Sequence, residues 1–362
     1  MFTETDRLTA IHSCRSCPMC HHADLVTTIE RRETYSARAR GLTLFAVEQG
    51  VSELGAETAD VMYRFFVDGL CRQVCAGHIP HDDMVVDARR RLVAAGYAPP
   101  TVSRVKANIA ATGNPWGEPE PDLRALSGGG SRQNVLLYFG PTARIKRVGV
   151  IQALNRILEK LGIGFSVLND ERDPGLLLHQ LGEWESGAAA AQVLAERIVR
   201  SGADTLITPD AEAYQTFKVG FGETPALAGP AVLQVSEFLE KCVGQLQFKR
   251  PKQQQIAYHD PCAFARTATC LDPPRAIVRA ISGADPLEIG PWTRELANCS
   301  GECGGVSFTV PLLAIHAAER RVQEAKATGA ELIVAGSSAA AAMLEGHGLE
   351  VLELSEFVAQ AL

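Results

Sequence analysis

The sequence predicts an α+β protein of several domains, in which a helical N-terminal domain precedes two duplicated α/β modules with parallel sheets. Three observations predict this fold class. Apolar residues recur at helical spacing within residues 1–100. Short β runs alternate with amphipathic helices from Asn134 onward, as in parallel sheets that are covered by helices. Segments of similar sequence then recur in the same order about 120 residues apart, which indicates a duplication.

Two helices are predicted with defined positions in the N-terminal domain, residues 1–100. One follows the segment Glu33–Arg38 and is apolar around Leu44. The other begins after Pro80 and stops at Gly96, where a residue without a side chain commonly ends a helix.

A linker is predicted over residues 101–133, because Pro and Gly are concentrated in Asn114–Gly117 and in Gly128–Gly130. Residues 134–250 form the predicted module one, and residues 251–362 form module two. The matched segments are Phe139–Ala143 with His259–Ala263, Ser201–Ile207 with Thr328–Val334, and Val235–Leu239 with Leu354–Val358.

Composition excludes several classes of protein. The net charge of −7 argues against a nucleic-acid-binding protein, which would carry a basic face. No apolar run reaches the roughly 18 residues that a membrane span needs. The segment Met1–Asp6 is polar and acidic, unlike the start of a secretion signal. We therefore expect a cytoplasmic protein, which a partner could hold at a membrane.

The ten cysteines are grouped rather than scattered. Disulfides are disfavoured in the cytoplasm, so grouped cysteines there indicate metal ligation or redox chemistry. The groups are Cys14/Cys17/Cys20, Cys71/Cys75, Cys262/Cys270 and Cys299/Cys303, and Cys242 stands alone.

The strongest chemical motif is Cys14-x2-Cys17-x2-Cys20. This spacing lets three thiolates bind one [4Fe–4S] cluster and leaves one iron for a remote ligand. In two-cluster ferredoxins a fourth cysteine follows three residues later and binds the other cluster, but Asp24 stands at that place here. Structural zinc and buried unligated thiols are the alternatives to a cluster.

Cys71 and Cys75 have the spacing of the second half of such a run. The two preceding cysteines of that half would lie at Phe65 and Asp68, and both are absent. Cys75 is therefore predicted to be the fourth ligand of the N-terminal cluster. Cys71 is left without a complete set, so one N-terminal cluster is expected.

Cys262, Cys299 and Cys303 form a possible second site. Cys262 follows a predicted strand, and the other two lie in a glycine-rich loop, so the three thiols could meet beyond the carboxyl edge of the sheet. A second cluster, a reactive thiol pair and structural cysteines all remain open. Cys270 is either a fourth ligand or a helix-buried thiol, and Cys242 is assigned to the core.

These features resemble the CCG (cysteine-rich domain) iron–sulfur proteins, among them heterodisulfide reductase subunits and the iron–sulfur subunits of glycolate oxidase and lactate-utilisation systems. The resemblance covers nearly the whole chain and includes the N-terminal cysteine motifs, Glu33–Ser36, Asn114–Gly117 and His259–Cys262. It implies a ferredoxin-like helical domain. It also implies that each module carries a lone cysteine after its first strand, a Cys-Cys-Gly and a later Cys-x-x-Cys.

Module one lacks this cysteine pattern. Thr142 replaces the lone cysteine, Asp173–Gly175 replaces the Cys-Cys-Gly, and Pro209–Glu212 replaces the last pair. These side chains are not soft ligands for iron–sulfur, so we predict that module one holds no cluster.

Module two keeps part of the pattern. Cys262 stands at the place of the lone cysteine, and Cys299-Ser300-Gly301 stands where Cys-Cys-Gly is expected. Ser337 and Ala340 occupy the places of the final pair, whereas Cys303 is additional to the family pattern.

The resemblance implies an iron–sulfur electron-transfer subunit of a flavin-dependent dehydrogenase complex. FAD or FMN is expected in a partner subunit, because no G-x-G-x-x-G follows a strand here. The acceptor would be a quinone system, an electron-transfer flavoprotein or a ferredoxin. No residue stands out as a general base or nucleophile, so catalysis is assigned to the partner. Two alternatives are a thiol–disulfide reductase subunit and a structural docking subunit with vestigial modules.

Overall fold

The computed structural model describes residues 3–119, 121–123, 134–249, 254–267 and 270–362. Within these ranges the N-terminal region is helical, and its α-helices are α1 (Glu4–Cys14), α2 (Leu25–Glu30), α3 (Ala37–Glu48), α4 (Ala56–Tyr63), α5 (Leu70–Gln73), α6 (His81–Ala94) and α7 (Pro100–Thr112).

Side-chain caps and first-turn charges start the helices of this region. Ser36 caps α3 by accepting a hydrogen bond from the Ala39 backbone N–H at 3.1 Å. Asp82 and Asp83 place negative charge in the first turn of α6, where the helix dipole favours it. The structure confirms both predicted helices, since α6 ends within two residues of Gly96.

The predicted linker needs a correction, because residues 101–112 belong to α7. Pro100 occupies the first turn, where its missing N–H costs nothing, and Gly113 ends the helix at φ +82°. The Pro- and Gly-rich segment that suggested a linker, beginning at Asn114, therefore follows this helix rather than including it. The remaining glycine-rich part, 124–133, lies outside the described residues.

The first sheet is parallel and has the strand order β2-β1-β3-β6, with a separate antiparallel β4–β5 hairpin. Its elements are β1 (Val135–Leu137), α8 (Gly140–Ile145), α9 (Val148–Leu161), β2 (Ser166–Val167), α10 (Leu176–Gln180), α11 (Trp184–Arg200), β3 (Thr205–Thr208), α12 (Ala211–Lys218), β4 (Gly220–Phe221), β5 (Thr224–Pro225), β6 (Ala231–Gln234) and α13 (Val235–Cys242).

The second sheet is also parallel, in the order β8-β7-β9-β10. Its elements are β7 (Ile256–His259), α14 (Asp272–Ser282), β8 (Leu287–Glu288), α15 (Val306–Thr309), α16 (Pro311–Ala327), β9 (Leu332–Ala335), α17 (Ser338–Leu344), β10 (Glu350–Glu353) and α18 (Leu354–Ala361). The two sheets share one strand order, as the predicted duplication requires. Every residue of β9 is buried, as expected for a strand covered on both faces.

A shared core joins the two sheets. Helices α9 and α13 pack against α14 and α18, and each buried aliphatic side chain contributes about 1.5–3 kcal/mol. Representative core residues are Leu154, Ile157, Leu239, Ile277 and Val358. This layer fixes the two carboxyl edges relative to each other.

Arg89 of α6 connects the helical region to both modules. Its buried guanidinium donates hydrogen bonds to the backbone carbonyls of Met62, Phe65, Gln180 and Gly304, at 2.7–3.0 Å. Burial lowers the pKa of Arg89 to about 10, which leaves it charged at neutral pH. One side chain thus holds together the segments that surround the candidate site.

Among the described residues, no helix has both the length and the apolar composition that crossing a membrane requires.

Candidate metal centre

Cys262, Cys299 and Cys303 come together at the carboxyl edge of the second sheet. Cys262 follows β7, and the other two lie in the loop between β8 and α15. Their three sulfur atoms lie within 4.8 Å of one another, and no other such group of three potential ligands occurs among the described residues. Cys262 and Cys299 are buried, and Cys303 is partly buried. We call these residues the cysteine triad.

A glycine turn fixes the position of Cys299. The backbone N–H of Gly301 donates a hydrogen bond to Cys299 Sγ at 3.2 Å. Gly301 has φ +113°, and a Cβ atom there would lie 2.5 Å from the carbonyl oxygen of Ala314 in α16. Only glycine fits this turn, because both the backbone angle and the close helix contact exclude a side chain.

The thiols of the triad are not equivalent. Hydrogen bonds from Cys299 and Cys303 hold the pKa of Cys262 well below its ordinary value, despite burial. Burial raises the pKa of Cys299, and the hydrogen bonds to Cys262 and Cys299 raise that of Cys303. The hydrogen bonds from its two neighbours therefore favour the thiolate form of Cys262.

A buried cation lies beside the triad. Arg266 belongs to a π-helical turn, Ala263–Thr267, and donates through Nη1 to the carbonyl of Ala297 at 2.7 Å. Its Nε donates to the carbonyl of Asp68 in the helical region. Burial opposes the charge of Arg266, but the thiol of Cys262 and the carboxyl of Asp68 raise its pKa overall.

A chain of polar side chains lies on another side of the triad. Arg321 Nε donates to His259 Nδ1 at 3.1 Å, so the proton of His259 is on Nε2. His259 Nε2 then donates to Ser300 Oγ at 3.1 Å, and that hydroxyl donates to Glu302 at 2.5 Å. Burial lowers the pKa of His259 to about 3 and raises that of Glu302 to about 7.

The structure separates the other candidate ligands from the triad. Cys270 is buried elsewhere, with Sγ 3.3 Å from Ser236 Oγ, and it precedes α14 rather than lying in a helix as predicted. Cys242 is a core residue at the end of α13, as predicted. Glu302 lies 3.8 Å from Cys299 Sγ, although its carboxylate is not part of the three-atom group.

The predicted N-terminal ligands lie at the start of the helical region. Cys14 ends α1 and is buried, Cys17 is exposed, Cys20 lies in a 3-10 turn, and Cys75 follows α5. Burial, and then the charges of Cys20, Cys75 and Cys17, raise the pKa of Cys14 to about 12. The charges of the neighbouring thiols thus affect the pKa of Cys14, although no three of these sulfur atoms lie within 4.8 Å of one another. A cubane has its irons at four corners, so its ligands need not meet at one point.

Cys71 contacts this group, although the spacing argument leaves it without a role. It is buried, and its hydrogen bond with Cys20 lowers the pKa of Cys20 and raises its own. Asp24, Phe65 and Asp68, which stand at the missing ligand positions of the two half-motifs, line one buried space together with Cys71. This space is too small for a water molecule.

Two other side chains occupy the region of the missing ligands. Arg40 pairs with the buried carboxylate of Asp24 and lies over the ring of Phe65, 4.3 Å from its centroid. A buried ion pair and an aromatic ring therefore stand at these positions, and neither supplies a thiolate ligand.

The donor sets fit iron–sulfur chemistry. Cysteine thiolates are soft ligands that select iron–sulfur clusters, zinc or copper(I). The triad supplies three such donors in a buried place beside a cation, and the N-terminal group supplies a further set at ferredoxin spacing. In the triad the residues present would hold three corners of a cluster, or a single zinc ion.

Module one carries oxygen atoms at the corresponding places. The N–H of Gly175 donates to Asp173 Oδ1 at 2.8 Å, as that of Gly301 donates to Cys299. Asp210 caps α12 by accepting from Ala213 N–H at 2.7 Å. Burial raises the pKa of Asp173 to about 7 and of Asp210 to about 6.

A cavity of about 420 Å³ lies where the two carboxyl edges face each other. Its lining includes Asp173, Asp210 and Glu212 from module one, Glu302 and Phe308 from module two, and Trp116 from the segment before β1. Open parallel sheets commonly bind small molecules at this edge.

Sequence reasoning missed Arg266, Asp68, Arg321 and the structural role of His259. Arg266 follows Cys262 by one helical turn, but an arginine at that spacing is too common to signal a function. Asp68 and Arg266 are 198 residues apart in the chain, and only the tertiary fold brings them together.

Part of module two matches a known protein family. Residues 256–345 match the cysteine-rich domain family, CCG, so module two contains a CCG domain and the predicted resemblance is confirmed. More particularly, the chain is related to a subunit of heterodisulfide reductase and to the iron–sulfur oxidoreductase FadF.

Three relatives show the extent of the similarity. The chain is 27% identical over 291 residues to a subunit of the dihydromethanophenazine:CoB–CoM heterodisulfide reductase of Methanosarcina acetivorans, covering 73% of this chain and 68% of the relative. It is 28% identical to a probable membrane-anchored ferredoxin of Chromohalobacter salexigens (81% and 47%). It is 26% identical to the probable iron–sulfur-binding oxidoreductase FadF of Bacillus subtilis (80% and 43%). The chain thus spans less than half the length of the last two.

Among solved structures, a putative Asp/Glu racemase from Yersinia pestis covers 63% of this chain and 96% of its own, at 13% identity and a TM-score of 0.31. A likeness this weak supports no statement about fold or function.

Proposed function

We propose that this chain is an iron–sulfur electron-transfer subunit of an oxidoreductase complex, which takes electrons from a flavin in a partner and passes them to an acceptor. The observation that carries the proposal is the cysteine triad, whose three sulfur atoms lie within 4.8 Å of one another. The names of the relatives, among them iron–sulfur-binding oxidoreductase and ferredoxin, support the same chemistry.

Two centres are assigned. Cys14, Cys17, Cys20 and Cys75 would hold an N-terminal [4Fe–4S] cluster, on the spacing argument and on their mutual influence. Cys262, Cys299 and Cys303 would hold three corners of a second cluster. A bound cluster supplies one-electron redox chemistry, and the chain supplies burial, hydrogen bonds to sulfur and fixed charges that set the potential.

The contacts between the two cysteine groups support a relay. Asp68, three residues before Cys71 in the helical region, accepts a hydrogen bond from Arg266, four residues after Cys262. Cys71, Cys262 and Cys299 belong to one continuous core. Packed protein therefore joins the two groups, as an electron carrier requires.

Iron and sulfide analysis of the anaerobically purified chain tests the proposal. Two cubane clusters correspond to about eight irons per chain and one to about four. We expect Cys75→Ser to lower the iron content that belongs to the N-terminal cluster. We expect the triple variant C262S/C299S/C303S to lower the iron content that belongs to the cluster of module two. Cys242→Ser is the matched control, because its thiol is a core residue without a predicted ligand role. Iron content unchanged in the triple variant would exclude a cluster in module two.

The cavity favours one alternative, a thiol–disulfide reductase subunit. It reaches Glu302, which contacts Cys299, so a small disulfide could enter beside the triad. Incubation of the dithionite-reduced chain with a small organic disulfide, followed by thiol counting, distinguishes the two functions. Thiol release that the triple serine variant abolishes would favour the reductase. No release, with the cluster still reducible, would favour the carrier.

A further inference from the structure

Arg266 is held from several sides in a buried position. Only 5% of its side chain is exposed, and Nη1 donates to the carbonyls of Ala297 and Glu295 at 2.7 and 3.2 Å. Nε donates to the backbone carbonyl of Asp68, which belongs to the helical region. The guanidinium is therefore fixed by contacts from two parts of the chain, and its fork has little freedom to turn.

One nitrogen of Arg266 remains without a hydrogen bond. Nη2 is buried and has no acceptor in the described part of the chain, and its nearest carboxylate oxygen, Asp68 Oδ2, is 3.6 Å away. A buried N–H of a charged group is costly to leave unpaired. Such a donor indicates an anionic neighbour that completes the site.

The cysteine triad lies on both sides of this arginine in the chain, because Arg266 follows Cys262 by four residues in the π-helical turn and donates to the carbonyl of Ala297, two residues before Cys299. The thiols of Cys262, Cys303 and Cys299 all act on the guanidinium, and Cys262 acts most strongly. The other buried arginine near the triad, Arg321, also has an Nη2 without an acceptor among the described residues, but its Nη1 pairs with Glu324 at 2.9 Å. Arg266 differs from Arg321 in its ion pair, which is longer, at 3.6 Å to Asp68 against 2.9 Å to Glu324.

We propose that Arg266 is a positioning and charge-setting residue of the triad centre, which raises the reduction potential of a cluster bound there. This inference rests on the proposed function, because it requires a cluster at the triad. A fixed positive charge in a buried, low-dielectric place stabilises the more negative reduced state. The backbone of Asp68 aims the guanidinium, so the helical region takes part in tuning a centre in module two.

The test compares three variants of the full chain by redox titration, followed through the electron paramagnetic resonance signal that C262S/C299S/C303S abolishes. Arg266→Gln removes the charge, Arg266→Lys keeps it, and Arg279→Gln is a control at an exposed ion pair with Asp285. We expect R266Q to lower the reduced-to-oxidised ratio of this centre at fixed potential at least tenfold, which is about 59 mV for one electron. In R266K the reduced-to-oxidised ratio at the same potential should stay within threefold of that in the native protein. The N-terminal signal should be unchanged in all three.

A native potential in R266Q, with iron retained, would overturn the inference. If R266Q loses iron from the triad, the iron content and potential of R266K decide whether the charge or the hydrogen bonds of Arg266 are responsible. Retained iron and a near-native potential in R266K support a role for the charge, whereas loss of iron or a lowered potential there would assign the effect to the hydrogen-bond fork and refute the proposal. Failure of the proposed function is distinguishable, because it would appear as an unchanged iron content in the triple serine variant.

Discussion

Module one and module two use the same turn to present different chemistry. In module two the turn Cys299-Ser300-Gly301 directs a sulfur atom at the Gly301 N–H. In module one the turn Asp173-Pro174-Gly175 directs a carboxylate oxygen at the Gly175 N–H. Both glycines have positive φ and lie against a helix, where a Cβ would approach a carbonyl oxygen to 2.2–2.5 Å. The turn therefore serves packing in both modules and ligand chemistry, as we propose, in only one.

The segments that replace the last cysteine pair of the family pattern also have the same backbone role in both modules. Asp210 caps α12 in module one, and Ser337 caps α17 in module two, each through a hydrogen bond to a backbone N–H three residues on. Caps and glycine turns are required by the backbone, so they persist whatever the edge of the sheet binds. The identity of the side chain, and not the fold, decides where a soft metal centre can form.

The largest expected loss of stability comes from removing Arg89, whose hydrogen bonds connect both modules to the helical region. Arg89→Met leaves four buried backbone carbonyls without their donor, including those of Gln180 and Gly304. We expect the free energy of unfolding to fall by about 3–5 kcal/mol, measured by urea denaturation. Arg104→Met, at an exposed site on α7, should change it by no more than about 0.5 kcal/mol. A loss below about 1 kcal/mol in R89M would show that Arg89 does not join the modules.

Substituting the two turn glycines separates packing from ligation. Gly175→Ala and Gly301→Ala each force a side chain into positive φ and against a backbone carbonyl, so each should cost about 2–4 kcal/mol. Only G301A should also lower the iron content of the folded fraction. Gly244→Ala is the control, because that site is open and has no positive φ. Equal iron loss in both variants would contradict the assignment of the cluster to module two alone.

Local signals in the sequence predicted much of this arrangement. Helical spacing located α3 and α6, and the repeated segments predicted two sheets that turn out to share one strand order. Cys262, Cys299 and Cys303 were expected to meet because carboxyl ends of parallel strands share an edge, and the structure brings them together.

Other features depend on contacts that no local pattern encodes. The predicted linker boundary at residue 101 was wrong, because Pro100 starts α7 and the helix continues to Thr112, before the Pro- and Gly-rich segment begins. Cysteine spacing gave Cys71 no partner, yet the fold places it beside Cys20. The pair Arg266 and Asp68 links distant parts of the chain, so only the tertiary structure reveals it.

Replacing Cys299 with Asp, the residue that module one has at the corresponding position, should lower stability less but lower the iron content strongly. Cys299→Asp keeps an acceptor for the Gly301 N–H, so the apo protein should lose only about 1–2 kcal/mol. The carboxylate is a poor ligand for iron–sulfur, so iron assigned to the triad should be lost. Cys299→Ala removes acceptor and ligand together and should be less stable than C299D. Full iron retention in C299D would mean that Cys299 is not a ligand.

The smallest effect, a pH dependence, comes from the buried carboxyl of Asp210 in module one. Burial raises its pKa from 3.8 to about 6, and that of the neighbouring Asp173 to about 7. The folded state therefore binds these protons more tightly than the unfolded state does. Their contribution to stability is complete below about pH 4 and is lost as the pH rises through the folded pKa values, between about pH 6 and 7.

Asp210→Asn should remove part of the loss of stability that occurs as the pH rises. Asn can still cap α12 by accepting the Ala213 N–H, but it carries no charge to bury. Between pH 5 and pH 8 we expect the free energy of unfolding of the native protein to fall by about 1–2 kcal/mol more than that of D210N, measured by urea denaturation at each pH. Asp204→Asn, at an exposed site of module one, should follow the native protein. Parallel pH profiles for D210N and the native chain would show that Asp210 does not hold a buried proton, and that the carboxyls of module one are solvated rather than sealed opposite the triad.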